Sequence, residues 1–393
     1  MGFLSGSITF ERYRITNDPT GQFGDEHIEI LQKNKIDSSQ ANLVDAPSFG
    51  FSGGSHLLDT QFDFGKNIIG DAMHFGVRVD SIQIPGPIKQ AWMQIELGGV
   101  LKDSPGKRPT KSQREDAQQA VDARCAAEAA KGNYQRMAVT PVLWDSQTET
   151  IFLGSSSEKT NEACLSLLTS SFGLEFNHVT SGSLALEFAE ANDQTKAIFA
   201  ASPAAFHPLG GSNVVWWNGM TDNYDYLGNE FLLWLWWNWE KNSNVVALSD
   251  GSEVSGMFAR SLSLDCPMGE HGKESISSES PVALPEAMMA IRMGKLPRKA
   301  GLTLVRDGEQ FDLTLKAETL SVGAARISQV GDDTPTRELL DRIESIRQLA
   351  ETSDLLYEVF CQARLGKSWS GEMKKMLKWL REETPMRVQT KAA

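Results

Sequence analysis

The residues of this 393-residue chain that could ligate a metal or carry out acid–base catalysis are spread along its length. Cys266 and His271 lie close together, but a structural zinc site needs four ligands and no second Cys/His pair lies nearby. No Walker A, GxSxG or HExxH sequence occurs. The other histidines are dispersed, at His27, His56, His74, His178 and His207. We therefore predict no metal site, no cofactor and no enzymatic activity.

Positive charge is more informative than any motif, because two stretches concentrate it. Residues 89–136 hold nine basic and six acidic residues, and residues 287–305 hold four basic residues and no acidic one. Phosphates are bound by Lys and Arg side chains that share a surface, while acidic residues elsewhere keep a protein soluble. The segregation of charge therefore suits recognition of a nucleic-acid backbone. On composition alone, solvated surface faces remain the simpler interpretation.

The overall composition excludes several classes of protein. The chain has 38 Lys and Arg against 51 Asp and Glu, a net charge of −13, which argues against a uniformly basic nucleic-acid-binding domain. No window approaches 18 consecutive apolar residues, so we predict no membrane span, and the first residues do not resemble a signal peptide. The four cysteines form no disulfide framework. We predict a cytoplasmic protein with reduced thiols.

Hydrophobic periodicity predicts a mixture of strands and helices. Residues 7–15 and 73–79 alternate as half-buried strands do, and hairpins are predicted around residues 145–148 and 307–309. Residues 25–35 and 285–293 have helical patterns, and Pro87 opens another helix. Strands and helices alternate without the regular rhythm of a doubly wound sheet. We therefore predict an α+β fold with mixed antiparallel sheets.

Three regions are predicted along the chain. Residues 1–200 form an α+β region that includes a projecting helical arm at about 87–136, because the helix at 110–131 has too few large apolar residues for a core helix. Residues 201–333 form a second α+β region, which holds a Trp-rich helix and the second basic stretch. Residues 334–393 form a helical region that ends in a basic amphipathic segment.

Six of the ten tryptophans lie between residues 210 and 240. Residues 231–239 are apolar on every face, which is typical of a helix buried on most sides. A platform on which single-stranded bases stack is the alternative, but such a surface normally interleaves basic residues with the aromatic ones. We favour a core element. The last amphipathic segment is interpreted similarly, as a helix packed on its own domain or on a partner subunit.

Four short blocks resemble the recombination-associated protein RdgC family. The first is Pro87-Ile88-Lys89-Gln90-Ala91, and the second is a Lys/Arg-rich stretch at residues 107–114 with the polar helix after it. The third is the hairpin at residues 142–145 with the helix after it, and the fourth is the segment 286–295, which ends in Gly-Lys and precedes Lys299. The blocks are collinear over about residues 1–330. The chain departs from the family in its greater length, its heavier Trp-rich segment and its C-terminal extension.

The resemblance implies an elongated subunit that forms a ring-shaped homodimer with a positively charged hole. Double-stranded DNA can pass through that hole, so the family binds DNA with little sequence preference, limits access of the RecA recombinase and has no catalytic activity. A nucleoid-associated protein is then expected. The chain could instead be an interaction module with the same fold that does not bind DNA, or a nuclease whose carboxylates meet only in space.

The hypothesis assigns phosphate contacts to two basic surfaces. Lys295, Arg298 and Lys299 are expected to face the interior of the ring. The arm is expected to contribute Lys107, Arg108, Lys111 and Arg114. Lys89 is a weaker candidate, because it flanks the start of a helix.

Overall fold

The computed structural model describes residues 2–381 except 18–19, 38–46, 103–107, 207–213, 215–222, 270–271, 281–283 and 328–334. The fold is α+β, as predicted, and is built on one large antiparallel sheet. The strands are β1 (Ile8–Ile15), β2 (Ser48–Ser52), β3 (Ile68–Ile69), β4 (Ala72–Ile82), β5 (Gln135–Asp145), β6 (Thr150–Leu153), β7 (Phe176–His178), β8 (Val245–Ala247), β9 (Glu253–Asp265), β10 (Glu274–Ser278), β11 (Leu296–Arg306), β12 (Glu309–Lys316) and β13 (Val322–Arg326).

Helices cover parts of this sheet and extend from it. They are α1 (Asp25–Lys33), α2 (Phe64–Asn67), α3 (Gly86–Lys102), α4 (Lys111–Ala130), α5 (Glu158–Phe172), α6 (Ser181–Ala191), α7 (Thr195–Phe199), α8 (Tyr226–Trp237), α9 (Pro285–Arg292), α10 (Pro335–Leu365) and α11 (Trp369–Arg381). A 3-10 turn at Gly2–Leu4 precedes β1, and a π-helical turn at Asn238–Asn242 continues α8.

The first strand of the chain joins the two halves of the sheet. The strand order is β10-β9-β11-β12-β13-β1-β6-β5-β4-β2. The start of β1 pairs with β13 near the C-terminal strands, and its later residues pair with β6 and β7. The sheet therefore runs through both predicted α+β regions without a break. The boundaries predicted near residues 200 and 333 stay predictions.

Both predicted hairpins are confirmed. The turn of the second hairpin shows why Asp-Gly suits that position. Strands β11 and β12 pair from Lys299↔Lys316 to Arg306↔Glu309. The two residues between them, Asp307 and Gly308, have φ angles of 51° and 86°. Positive φ at both central positions is the requirement of the tight hairpin turn that matches strand twist, and Asp-Gly meets it well.

The Trp-rich helix α8 is a core element, as predicted. Every residue of α8 is buried, and Trp236 packs its ring against Phe258 and Trp379 at centroid distances of 5.4 and 6.1 Å. Trp216 and Trp217 lie outside the described residues. Helix α11 packs into the same core through Met376 and Trp379, so the last amphipathic segment packs on its own chain, one of the two predicted outcomes.

Gly228 lets α8 pack closely against the backbone that follows β12. A Cβ atom added there would lie 1.8 Å from the carbonyl oxygen of Ala317. We expect Gly228→Ala to lower the free energy of unfolding by about 2 kcal/mol, because overpacking costs up to about 3 kcal/mol and better helix propensity returns about 1. Gly98→Ala in α3 is the control, since an added Cβ meets nothing within 4 Å there. Equal denaturant midpoints for the two variants would contradict this account.

Candidate nucleic-acid interface

Helices α3 and α4 form a hairpin, called here the arm. The start of α4 is held by a capping box, in which Thr110 and Gln113 each accept a hydrogen bond from the other's backbone N–H. Trp92 of α3 is buried and meets the ring of Tyr134 edge-on at 6.4 Å. The guanidinium of Arg124 lies 4.7 Å from the centre of the Trp92 ring. These contacts tie the two helices into one unit.

The arm displays its predicted cations on the surface. Arg108, Lys111 and Arg114 are all exposed around the start of α4. The only ion pair among them that the structure describes joins Lys111 to Glu115 at 3.8 Å, between side chains that are 93% and 63% exposed. Exposed pairs of this kind contribute little, so Lys111 remains available to a phosphate. Lys107 lies outside the described residues.

The structure separates Lys89 from the rest of this group. Lys89 is exposed in the first turn of α3, whereas Arg108 follows the end of that helix. Lys89 lies thirteen positions before Lys102, the last residue of α3, which is about 20 Å along the helix axis. Lys89 therefore occupies the other end of the arm, and could contact only a different part of a bound duplex.

The three basic residues of the second predicted surface, Lys295, Arg298 and Lys299, differ in their exposure to solvent. Lys295 is 4% exposed and its Nζ lies 2.6 Å from Oε1 of Glu274. Arg298 is 26% exposed and contacts the carboxylates of Glu318 and Asp265. Lys299 is exposed. Of these three residues only Lys299 is presented as a surface cation, and a phosphate would reach Lys295 only if Glu274 moved away.

Further cations lie on the same side of the sheet as Lys299. The sequence patterns did not identify them. Strand alternation directs Leu302, Leu313 and Leu315 into the core and leaves the opposite side of the sheet to polar residues. We call that side the open face and define it by Ser261, Ser263, Lys299, Thr303, Asp312, Thr314 and Lys316, which are exposed or partly exposed. Lys316 pairs directly with Lys299 across β11 and β12.

Two arginines extend the positive charge of the open face. Arg326 is exposed and pairs in register with Asp312, and Arg260 is 51% exposed with its Nη2 2.7 Å from Oδ2 of Asp312. Burial opposes ionisation of Asp312, but a hydrogen bond from Thr303 and the charge of Arg260 hold the pKa of this carboxyl below its usual range. Arg260 and Arg326 thus flank the carboxylate of Asp312, and Lys299 and Lys316 form a pair four residues further along the same two strands. These four cations outnumber that one carboxylate.

Regular alternation along β12 predicts that Lys316 lies on the open face, because its neighbours Leu313 and Leu315 point into the core. The same argument does not predict the face on which Arg260 lies. Its φ of 64° marks an irregularity in β9, and the register of β9 against β11 shifts close by. A bulge of this kind redirects a side chain in a way that simple period-two counting does not predict.

A cleft of about 620 Å³ lies between α10 and strands β1 and β6. Arginines line it, but each is held by a carboxylate. Arg12 binds Asp354 through two bonds of 2.6 and 2.7 Å, and Arg347 lies 2.6 Å from Asp145. The arginines therefore clamp α10 onto the sheet, and we assign no phosphate contact to the cleft.

Comparison with known proteins assigns no function to this interface. No family model matches the chain, and no curated protein matches it either. Within the described ranges, no group of three or more His, Cys, Asp or Glu residues is arranged to hold a metal ion. None of the helices described here is long and apolar enough to cross a membrane. Similarity to the RdgC family stays a prediction that rests on the four sequence blocks.

Proposed function

We propose that the chain is a non-catalytic DNA-binding protein that contacts the phosphate backbone through its arm and its open face. The observation that carries the proposal is the display of Arg108, Lys111 and Arg114 on one element and of Lys299 with Lys316 on another, in a chain whose net charge is −13. Such cations neutralise phosphates and carry no information about the base sequence, so the expected sequence preference is slight.

The proposed assembly is an RdgC-like homodimer that encircles double-stranded DNA, is associated with the nucleoid and limits access of a RecA-type recombinase. One exposed apolar side chain on the arm would be covered by a second copy. Ile95 of α3 is 61% exposed although α3 packs on α4. Burying such side chains against another subunit removes apolar surface from water. Size measurement in solution tests for the dimer.

Salt dependence gives the direct test of the arm. We expect the log–log slope of affinity for a labelled duplex against salt to flatten by about 2.7 for each arm that contacts the duplex in the triple variant Arg108→Ala, Lys111→Ala, Arg114→Ala, because each lost phosphate contact removes about 0.9. Fluorescence anisotropy over a series of salt concentrations measures the slope. The matched control replaces Lys374, Lys375 and Lys378, three exposed cations of α11, by alanine.

The outcomes separate the candidate functions. An unchanged slope in the arm variant, or equal flattening in the α11 control, would remove the arm from the binding surface. Absence of DNA binding at low salt would favour an interaction module with this fold. Cleavage of the duplex on incubation with Mg²⁺ would instead indicate a nuclease and overturn the non-catalytic assignment.

A further inference from the structure

A histidine borders the open face where β7 pairs with β1. His178 pairs in register with Tyr13, and their rings stack with centroids 4.5 Å apart and planes 13° apart. The side chain of His178 is 33% exposed. Its Nε2 atom is nevertheless buried, lies 3.5 Å from Oε2 of Glu11 and makes no hydrogen bond within the described residues. One edge of the imidazole therefore faces a carboxylate.

Glu11 is held in a fixed position behind His178. Its side chain is 4% exposed, and Oε2 accepts hydrogen bonds from the Tyr13 hydroxyl at 3.3 Å and from Nδ2 of Asn161 at 2.9 Å. These donors keep the carboxylate beside the imidazole. A proton added to Nε2 of His178 would be directed at Glu11, so the site is built to accept one.

The same imidazole is close to the cations of the open face. The backbone N–H of Ser181, three residues after His178, donates to the carbonyl oxygen of Glu318 at 2.9 Å, two residues after Lys316. The charge of Lys316 accordingly acts on His178. Because Lys316 pairs with Lys299, the lysine whose charge acts on His178 is one of the two proposed to bind phosphate.

Groups from four elements set the charge state of His178. Burial lowers the pKa of His178 below its ordinary value and Lys316 acts in the same direction, whereas Glu11 on β1, Glu158 on α5 and Asp225 before α8 oppose them. The uncharged residue stacked on it is Tyr13, whose hydroxyl accepts a hydrogen bond from Nδ2 of Asn161. In the free protein the imidazole is therefore neutral at pH 7.5.

On the basis of the proposed function, we propose that His178 couples DNA binding to protonation. A phosphate at Lys299 and Lys316 places negative charge near the imidazole and favours its charged form. The pKa of His178 then rises on binding, and by reciprocity DNA binds more tightly at low pH. This gain in affinity is complete below the pKa of His178 in the free protein. It disappears as the pH rises through the pKa of His178 in the complex.

The test compares affinity for a labelled duplex between pH 8.0 and 5.5 at constant salt. The wild type and the control His56→Gln, which changes an exposed histidine in a loop, are expected to tighten more over this range than His178→Gln. The difference reaches up to about threefold for a rise of half a pKa unit. Imidazole resonances of the wild type, followed by NMR with and without DNA, report the same rise directly and do not depend on the variant folding.

Three results overturn the coupling. DNA binding with the same pH dependence in His178→Gln and the wild type, or an NMR midpoint of His178 unmoved by DNA, rejects the coupling alone. Absence of DNA binding by every variant at every pH rejects the proposed function, and the coupling with it.

Discussion

Replacing Glu230 by alanine is expected to lower the free energy of unfolding by about 3–5 kcal/mol. Glu230 lies inside the apolar helix α8, is 1% exposed, and binds Nε of Arg364 on α10 at 2.6 Å. Its other oxygen accepts the backbone N–H of Ala204 at 2.6 Å. Alanine would leave a buried guanidinium and a backbone donor without this partner, and an uncompensated buried charge is strongly destabilising.

Urea unfolding followed by circular dichroism measures the loss, provided that the slope of the transition is the same in the variant. The double variant Glu230→Leu, Arg364→Met is the control, because it removes both charges and keeps an apolar volume. It is expected to be much closer to the wild type than Glu230→Ala, since replacing a whole buried ion pair is often nearly neutral. If the double variant loses as much stability as Glu230→Ala, packing rather than charge pairing explains the site.

Reversing the charge of Lys299 and Lys316 together is expected to weaken duplex binding at least about 100-fold at 0.1 M salt. Each phosphate contact contributes about tenfold in affinity at that salt concentration, which follows from a slope of about 0.9 per contact. The two lysines pair directly across β11 and β12, so glutamates at both positions would also repel the backbone they are proposed to bind. Anisotropy at several salt concentrations measures the effect.

A control for net charge is available on α11. Lys374→Glu with Lys375→Glu changes the total charge equally at two exposed positions and is expected to weaken binding far less. Equal weakening in both double variants would mean that only the net charge matters. Unfolding curves of both should match the wild type, because none of the four side chains is buried.

Much of the secondary structure was predictable from local patterns. The helices predicted at residues 25–35 and 285–293 correspond to α1 and α9, and the alternating segments 7–15 and 73–79 correspond to β1 and part of β4. The prediction that these two strands are half-buried was wrong, because most of their residues are buried on both faces of the sheet. The predictions of element type and position succeed because amphipathic periodicity, Pro at a helix start and Asp-Gly in a turn act over a few residues. The continuously apolar sequence of α8 likewise required burial on all sides.

The candidate site was only partly predictable, because charge pairing acts over long sequence distances. Lys295 and Lys299 are both basic residues of one short acid-free stretch. Glu274, which neutralises Lys295, comes from β10, and Lys316, which reinforces Lys299, comes from β12. Strand order and register bring these residues together, and neither follows from the composition of residues 287–305.

The α+β class, the buried Trp-rich helix and the two basic stretches follow from local sequence, since each depends on neighbouring residues. The availability of each basic residue to a partner depends on contacts between distant parts of the chain. The tertiary structure buries Lys295, pairs Arg12 with Asp354 across 342 residues, and exposes Lys299 beside Lys316. A cation binds a phosphate best where it remains solvated and is not buried against a carboxylate, and folding sets both conditions.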